Sequence, residues 1–130
     1  MFDDTHVQLA SIEIVLDAVK SVRVARAGQL EAVIHDAVCA ALLARSIPHR
    51  REYTFAPKCR ADVWVDGIVI EIKKERPARA ALVDQLTRYA AQPNTRAIIA
   101  VLERSILLPT AIHEKRVVVV SLNALWGIAL

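Results

Sequence analysis

Asp62, Glu71 and Lys73 are the residues of this chain best placed to do chemistry together. They fall at the two ends of Asp62-Val63-Trp64-Val65-Asp66-Gly67-Ile68-Val69-Ile70-Glu71-Ile72-Lys73, a stretch that reads as a β-hairpin. Asp-Gly between alternating apolar runs favours a two-residue turn of the I′ type, in which both central residues take positive φ. With Asp66 and Gly67 as the loop, Val65 faces Ile68, Trp64 faces Val69, Val63 faces Ile70 and Asp62 faces Glu71. Alternation along the strands then gives an apolar face of Val63, Val65, Ile68, Ile70 and Ile72. Asp62, Trp64, Val69, Glu71 and Lys73 share the opposite face. Directly opposed residues have Cβ atoms about 5 Å apart, and like charges there repel. A cation held between the carboxylates would offset that repulsion, so the pattern points to a metal site with an ammonium group beside it.

The elements that must position this hairpin can be read from periodicity. Apolar residues recur at helical spacing from Thr5 to about Val22, with Asp4 or Thr5 as cap. A basic connector, Arg23 to Ala27, ends at Gly28, and a second helix is expected over Gln29 to Arg45, with Pro48 following its end. His49 to Phe55 reads as a strand and Ala56-Pro57-Lys58 as a break before the hairpin. Pro77 opens a third helix to about Ala91, closed by Pro93 and Asn94. The β-branched runs Arg96–Leu102 and Lys115–Val120 suit buried strands, and Ser121 could cap a short terminal helix through Trp126. The order helix, helix, three strands, helix, two strands, helix implies a mixed sheet flanked by helices.

The totals narrow the classes. A chain of 130 residues suits one domain, 1–130, with residues 1–27 as a helical extension and 28–130 as the core. With 55% hydrophobic residues it folds rather than staying disordered. No apolar run is long enough to cross a bilayer, because Val117–Leu130 is broken by Ser121 and Asn123. Cys39 and Cys59 lack metal-ligand spacing, and without an export signal they read as reduced thiols in a cytoplasm. The net charge is +3, but Arg45, His49, Arg50, Arg51, Lys58 and Arg60 precede the acidic pair, and Lys73, Lys74, Arg76 and Arg79 follow it. That bracketing suits a phosphate-backbone binder, or equally a set of solvated strand ends.

Glu31, Asp62, Glu71-Ile72-Lys73 and then Gln85-Leu86-Thr87-Arg88-Tyr89, taken in order, resemble the PD-(D/E)XK nuclease superfamily over roughly Gly28 to Leu102. Gln85-x-x-x-Tyr89 resembles the extra motif of its RecB-like branch. Gly28-x-x-Glu31 is similar to the start of the Gly-x-x-Glu-x-x-Tyr pattern of small phage-type nuclease-like proteins, although Ile34 stands where that Tyr would be. Ala61 stands where the Pro of the family motif would be. The resemblance implies an α/β, restriction-endonuclease-like core with a three-strand meander, and an extra helix at the N-terminal side.

It also implies a Mg²⁺-dependent deoxyribonuclease, with Mn²⁺ able to substitute, acting in DNA repair, recombination or phage defence. Asp62, Glu71 and the Ile72 carbonyl would hold the ion, and Glu31 would assist through water. Such a set suits Mg²⁺, which takes hard oxygen ligands and keeps several waters. Lys73 would orient the attacking water or stabilise charge, or merely pair with Glu71 or Asp62. Glu31 reads alternatively as a first-turn residue favoured by the helix dipole, and His35 as a helix-surface histidine. Gln85 could bridge Lys73 or the nucleophilic water and substrate. Arg50, Arg51, Lys74 and Arg88 are candidate phosphate contacts. Tyr89 could stack on DNA or pack the core, and Trp64 could stack on a base or cover the core. Asp66 is explained by the turn.

Without an added recognition module, structure-selective cleavage is expected rather than sequence-specific cleavage, or specificity lent by a protein partner. Val117–Leu130 could form a homodimer interface or complete the domain's own sheet. The alternative class is a catalytically inactive nuclease-fold module for DNA or protein binding. A third reading has Asp62 and Glu71 simply paired with Arg60 and Lys73.

Overall fold

A computed structural model describes residues 10–23, 31–74 and 77–122. The elements in chain order are α1 (Ile12–Lys20), α2 (Glu31–Ala44), β1 (Arg50–Ala56), β2 (Cys59–Val65), β3 (Ile68–Lys73), α3 (Arg79–Ala90), β4 (Ala97–Leu102), β5 (Ala111–Ile112) and β6 (Lys115–Ser121). The first helix, expected from Thr5 to about Val22, is described as Ile12–Lys20 with residues before 10 outside the described ones, and the expected terminal helix lies beyond the described residues apart from Leu122.

One six-stranded sheet runs β1-β2-β3-β4-β6-β5. β1, β2 and β3 form the antiparallel meander expected from the sequence, β3 and β6 pair parallel to β4, and β5 returns antiparallel to β6. All of β4 is buried, which is why Ala97–Leu102 is apolar without alternation. α1 and α2 cover one face, where Val15, Val19, Ile34, Val38 and Leu42 pack on Val63, Val65, Ile68, Ile70 and Ile72. α3 covers the other, where Leu82, Leu86 and Tyr89 pack on Ala61, Val69, Ile98 and Ala100. The architecture is thus a mixed α/β sheet with helices on both faces. Among the described residues, no helix is long and apolar enough to cross a membrane.

Local chemistry ends the elements. α2 closes with Ser46 in the left-handed region (φ 57°), and its neighbours make the paired bonds Ile47 N–H to Leu42 O (2.9 Å) and Ser46 N–H to Leu43 O (2.9 Å). This is a Schellman closure with a serine at the position glycine usually takes. The Asp66-Gly67 turn has the two positive φ values expected of it, 47° and 91°. A Cβ on Gly67 would lie 2.7 Å from the Asn94 carbonyl oxygen, so glycine is required by space as well as by φ. Arg96 fastens the turn, donating from its backbone N–H to Gly67 O (2.7 Å) and from Nε to Asp66 O (2.6 Å).

Candidate functional site

The hairpin pairs as its sequence predicts for three rungs and then opens. Val65↔Ile68, Trp64↔Val69 and Val63↔Ile70 are in register, and the ladder ends there. Asp62 and Glu71 are therefore not a bonded cross-strand pair, which corrects the expectation that they face each other directly. Instead the Asp62 carboxylate takes the place of a strand partner, its Oδ2 accepting the Ile72 N–H at 2.8 Å. β2 meanwhile stays paired to β1 through Tyr53↔Ala61, Thr54↔Arg60 and Ala56↔Cys59. The sheet forks between β2 and β3 as a result.

Within that fork lies an open cleft of about 440 Å³, lined by Thr54, Lys58, Cys59, Arg60, Asp62, Glu71, Lys73, Gln85 and Tyr89. A fork admits groups from both layers of helices. From the α3 side, Gln85 Nε2 donates to Tyr89 Oη (3.0 Å), whose hydroxyl donates to the Arg60 carbonyl (2.9 Å). From the α2 side, the charges of His35 and Glu31 act on Asp62.

Glu71 is the most constrained group here. It is 3% exposed, its Oε2 lies 3.2 Å from Lys73 Nζ, and its Oε1 is buried without a hydrogen-bond partner among the described residues. Burial, and next the charge of Asp62, push its pKa up from 4.5 to about 7. Burial raises Asp62 as well, against the lowering effect of the Ile72 N–H. Tyr89 is pushed up to about 12 by burial and then by the charge of Glu71. Each shift has the same origin, which is negative charge crowded into a poorly solvated place. A buried carboxylate oxygen lacking a donor is costly unless something positive meets it.

The remaining expectations divide. The Lys73–Glu71 ion pair exists, whereas Asp62 makes no ion pair with Arg60 among the described residues. Glu31 stands in the first turn of α2 with 54% of its side chain in solvent and its Oε2 3.4 Å from His35 Nε2. His35 is not on the helix surface as expected. It is 7% exposed, and its Nε2 has no hydrogen-bond partner. Tyr89 is buried against Phe55, so its ring cannot stack on DNA and only its hydroxyl reaches the cleft. Arg51 is engaged by Asp36 (2.8 Å), and Arg88 donates to Lys58 O (3.0 Å). Arg50 is exposed with its guanidinium 4.9 Å from the Tyr53 ring centre, and Lys74 is half-buried just past β3. Asp66 serves the turn, its Oδ2 also accepting the Ala10 N–H at 3.2 Å. Sequence reasoning missed Thr54 and Cys59 as cleft residues and His35 as a buried neighbour of Asp62; none carries a motif of its own.

Among the described residues, no three His, Cys, Asp or Glu side chains converge as a protein-built metal cage would need. Two carboxylates with a backbone carbonyl suit the looser shell of Mg²⁺, which binds through one or two carboxylates and keeps waters. Glu71 Oε1, which has no donor among the described residues, is an acceptor left open to such a cation. Fold and site together define an α/β domain whose mixed sheet opens into a carboxylate–lysine cleft. No protein-family model, no curated protein and no solved structure matches the chain.

Proposed function

We propose that this domain is a divalent-metal-dependent deoxyribonuclease with a restriction-endonuclease-like core, hydrolysing DNA phosphodiesters. The observation that carries the reading is the buried, donorless Glu71 Oε1 in the fork, with Asp62 and Lys73 around the same cleft. Raised carboxylate pKa values, caused by burial and by a neighbouring carboxylate in an open polar cleft, support a functional site here.

Asp62 and Glu71 would hold Mg²⁺, with the Ile72 carbonyl, which flanks the N–H that Asp62 binds, as a further oxygen. The ion, when bound, supplies Lewis-acid polarisation of the phosphodiester and acidifies a water. The chain's own groups do the rest. The Lys73 ammonium has three donors, so it can keep Glu71 and still bind a phosphate oxygen on which charge develops. Gln85, fixed by Tyr89, presents an amide at the cleft wall to a water or a phosphate oxygen. Lys58 and Arg60 at the rim, and Lys74 beyond β3, attract the DNA backbone. Glu31 and His35 act on Asp62 from α2 and hold its charge in balance.

Incubation with Mg²⁺ or Mn²⁺ and plasmid, linear or branched DNA tests the reading. Wild-type protein should cut at least one substrate, and Lys73→Ala should be slower by about a hundredfold or more with folding and DNA binding retained. Equal rates for the two proteins, or no cleavage of any substrate, would reject it.

A further inference from the structure

A second feature of the same sheet suggests which form of DNA the cleft receives. In a regular strand Arg50 and Tyr53 would project from opposite faces. Here the Arg50 guanidinium sits 4.9 Å from the Tyr53 ring centre, so the strand changes face between them. The cause is Glu52, whose φ of 49° is left-handed in the middle of β1. The rungs Arg51↔Val63 and Tyr53↔Ala61 bracket Glu52 and Asp62, and the partner strand changes face there too. Ala61 belongs to the core under α3, whereas Val63 belongs to the core under α1 and α2. A non-glycine residue held left-handed inside a strand costs about 1–3 kcal/mol and persists only where its surroundings impose it.

The twist gathers the aromatic side chains into one row. Tyr53 lies 5.5 Å from Trp64, Trp64 stacks on Phe55 at 4.7 Å with planes 24° apart, and Phe55 meets Tyr89 edge-on at 5.5 Å. The row starts at an open hollow of about 300 Å³ lined by His49, Arg50, Tyr53, Trp64 and Asp66, among others. It ends at Tyr89, which lines the carboxylate cleft. Tyr53, Phe55 and Trp64 are each only half-buried. Phe55 and Trp64 pack partly on the core under α3, yet all three rings keep a solvent-facing part at the sheet edge, which leaves a contiguous aromatic surface there.

Resting on the nuclease reading, we propose that the half-exposed part of this row, Tyr53, Trp64 and Phe55, is a stacking track for single-stranded DNA, which delivers an unpaired strand from the Arg50–Trp64 hollow to the Asp62–Glu71 cleft, with the buried Tyr89 ring only backing its inner end. Unpaired bases present π-faces that half-exposed rings can accept, whereas bases within a duplex are already stacked. Arg50 beside Tyr53, with Lys58 and Arg60 at the cleft, supplies positive charge for the phosphates at both ends of the track. Asp66 is the one acidic side chain lining the hollow, and its carboxylate is engaged by Ala10 N–H.

Binding in EDTA separates this proposal from the chemistry. In a Trp126→Phe background, the remaining tryptophan fluorescence reports on Trp64 alone. Oligo-dT should quench it and bind at least tenfold more tightly than a blunt duplex of equal length. Trp64→Leu, which keeps an apolar side chain without a stacking face, should weaken oligo-dT binding by about tenfold and leave duplex binding unchanged. Should Trp64→Leu not fold, Arg50→Gln at the surface should reduce oligo-dT affinity in the same assay. An absence of quenching, or tighter binding of the duplex or of oligo-U, overturns the track. Quenching and single-strand preference without cleavage in Mg²⁺ would uphold the track and sink the nuclease reading. Cleavage without single-strand preference would do the reverse.

Discussion

The two ends of the β2–β3 hairpin are built from the same dozen residues and behave in opposite ways. At the turn, three rungs pair in register, Ile68 and Val65 are fully buried, and Arg96 ties the loop to the start of β4. At the other end the ladder stops, a carboxylate replaces the strand partner, and a buried acceptor is left without a donor. At the turn no buried side-chain polar atom lacks a partner, whereas the open end holds one, Glu71 Oε1, that no described residue satisfies. On the proposed reading, stability is concentrated where the hairpin closes and chemistry where it opens, because a site that must bind something else cannot also be satisfied from within.

That contrast can be broken from the closed end first. Ile68→Ala removes a fully buried side chain that packs in the core under α1 and α2. It should cost about 2–5 kcal/mol in urea unfolding. Gly67→Ala forces a Cβ against the Asn94 carbonyl at a positive-φ position and should cost about 1–3 kcal/mol by the same measurement. A cost below a few tenths of a kcal/mol for either would mean that the turn does not anchor the fold.

The open end should answer with the opposite sign. Glu71→Gln removes a buried charge and gives the site an amide donor beside Asp62. Metal-free protein should gain about 1 kcal/mol at pH 8 even as cleavage is lost. A melting temperature lower than wild type would show that the ion pair with Lys73 outweighs the desolvation.

The smallest effect is a trend with pH. Folding raises the pKa of Glu71 from 4.5 to about 7, so between those values the folded chain binds more protons than the unfolded one. Its contribution therefore favours folding at acid pH and is lost as pH rises from 4.5 to 7, the reverse of an ordinary salt-bridged carboxylate. Asp62 is shifted in the same direction. Metal-free protein should lose stability across this window on account of Glu71. Mg²⁺ should raise the melting temperature at pH 8 and have less effect at pH 5, where Glu71 is protonated. Equal Mg²⁺ stabilisation at both pH values would place the ion somewhere other than between these carboxylates.

Much of the fold is legible because each signal is local. Asp66-Gly67 marks its turn because few other pairs tolerate two positive φ values, and the parity of Val63 to Ile72 follows from the pleat. β5 was not legible. Its hairpin turns through His113 (φ 50°) and Glu114 (φ 64°), without the Asn-Gly or Asp-Gly pair that usually marks such a turn. The left-handed Glu52 is silent in sequence for the same reason. His35 looked like a surface residue because a lone histidine on a helix gives no sign of what lies across from it.

By itself the sequence determined which side chains share a face, where the hairpin turns, and that Asp62, Glu71 and Lys73 lie near one another, since periods of two and 3.6 are properties of the local backbone. Only the tertiary structure decided that β2 follows β1 away from β3 at Asp62, and that the strand changes face beside it. Those choices depend on competition between strand pairings and on which helix covers which face, and neither is encoded in any short stretch of chain.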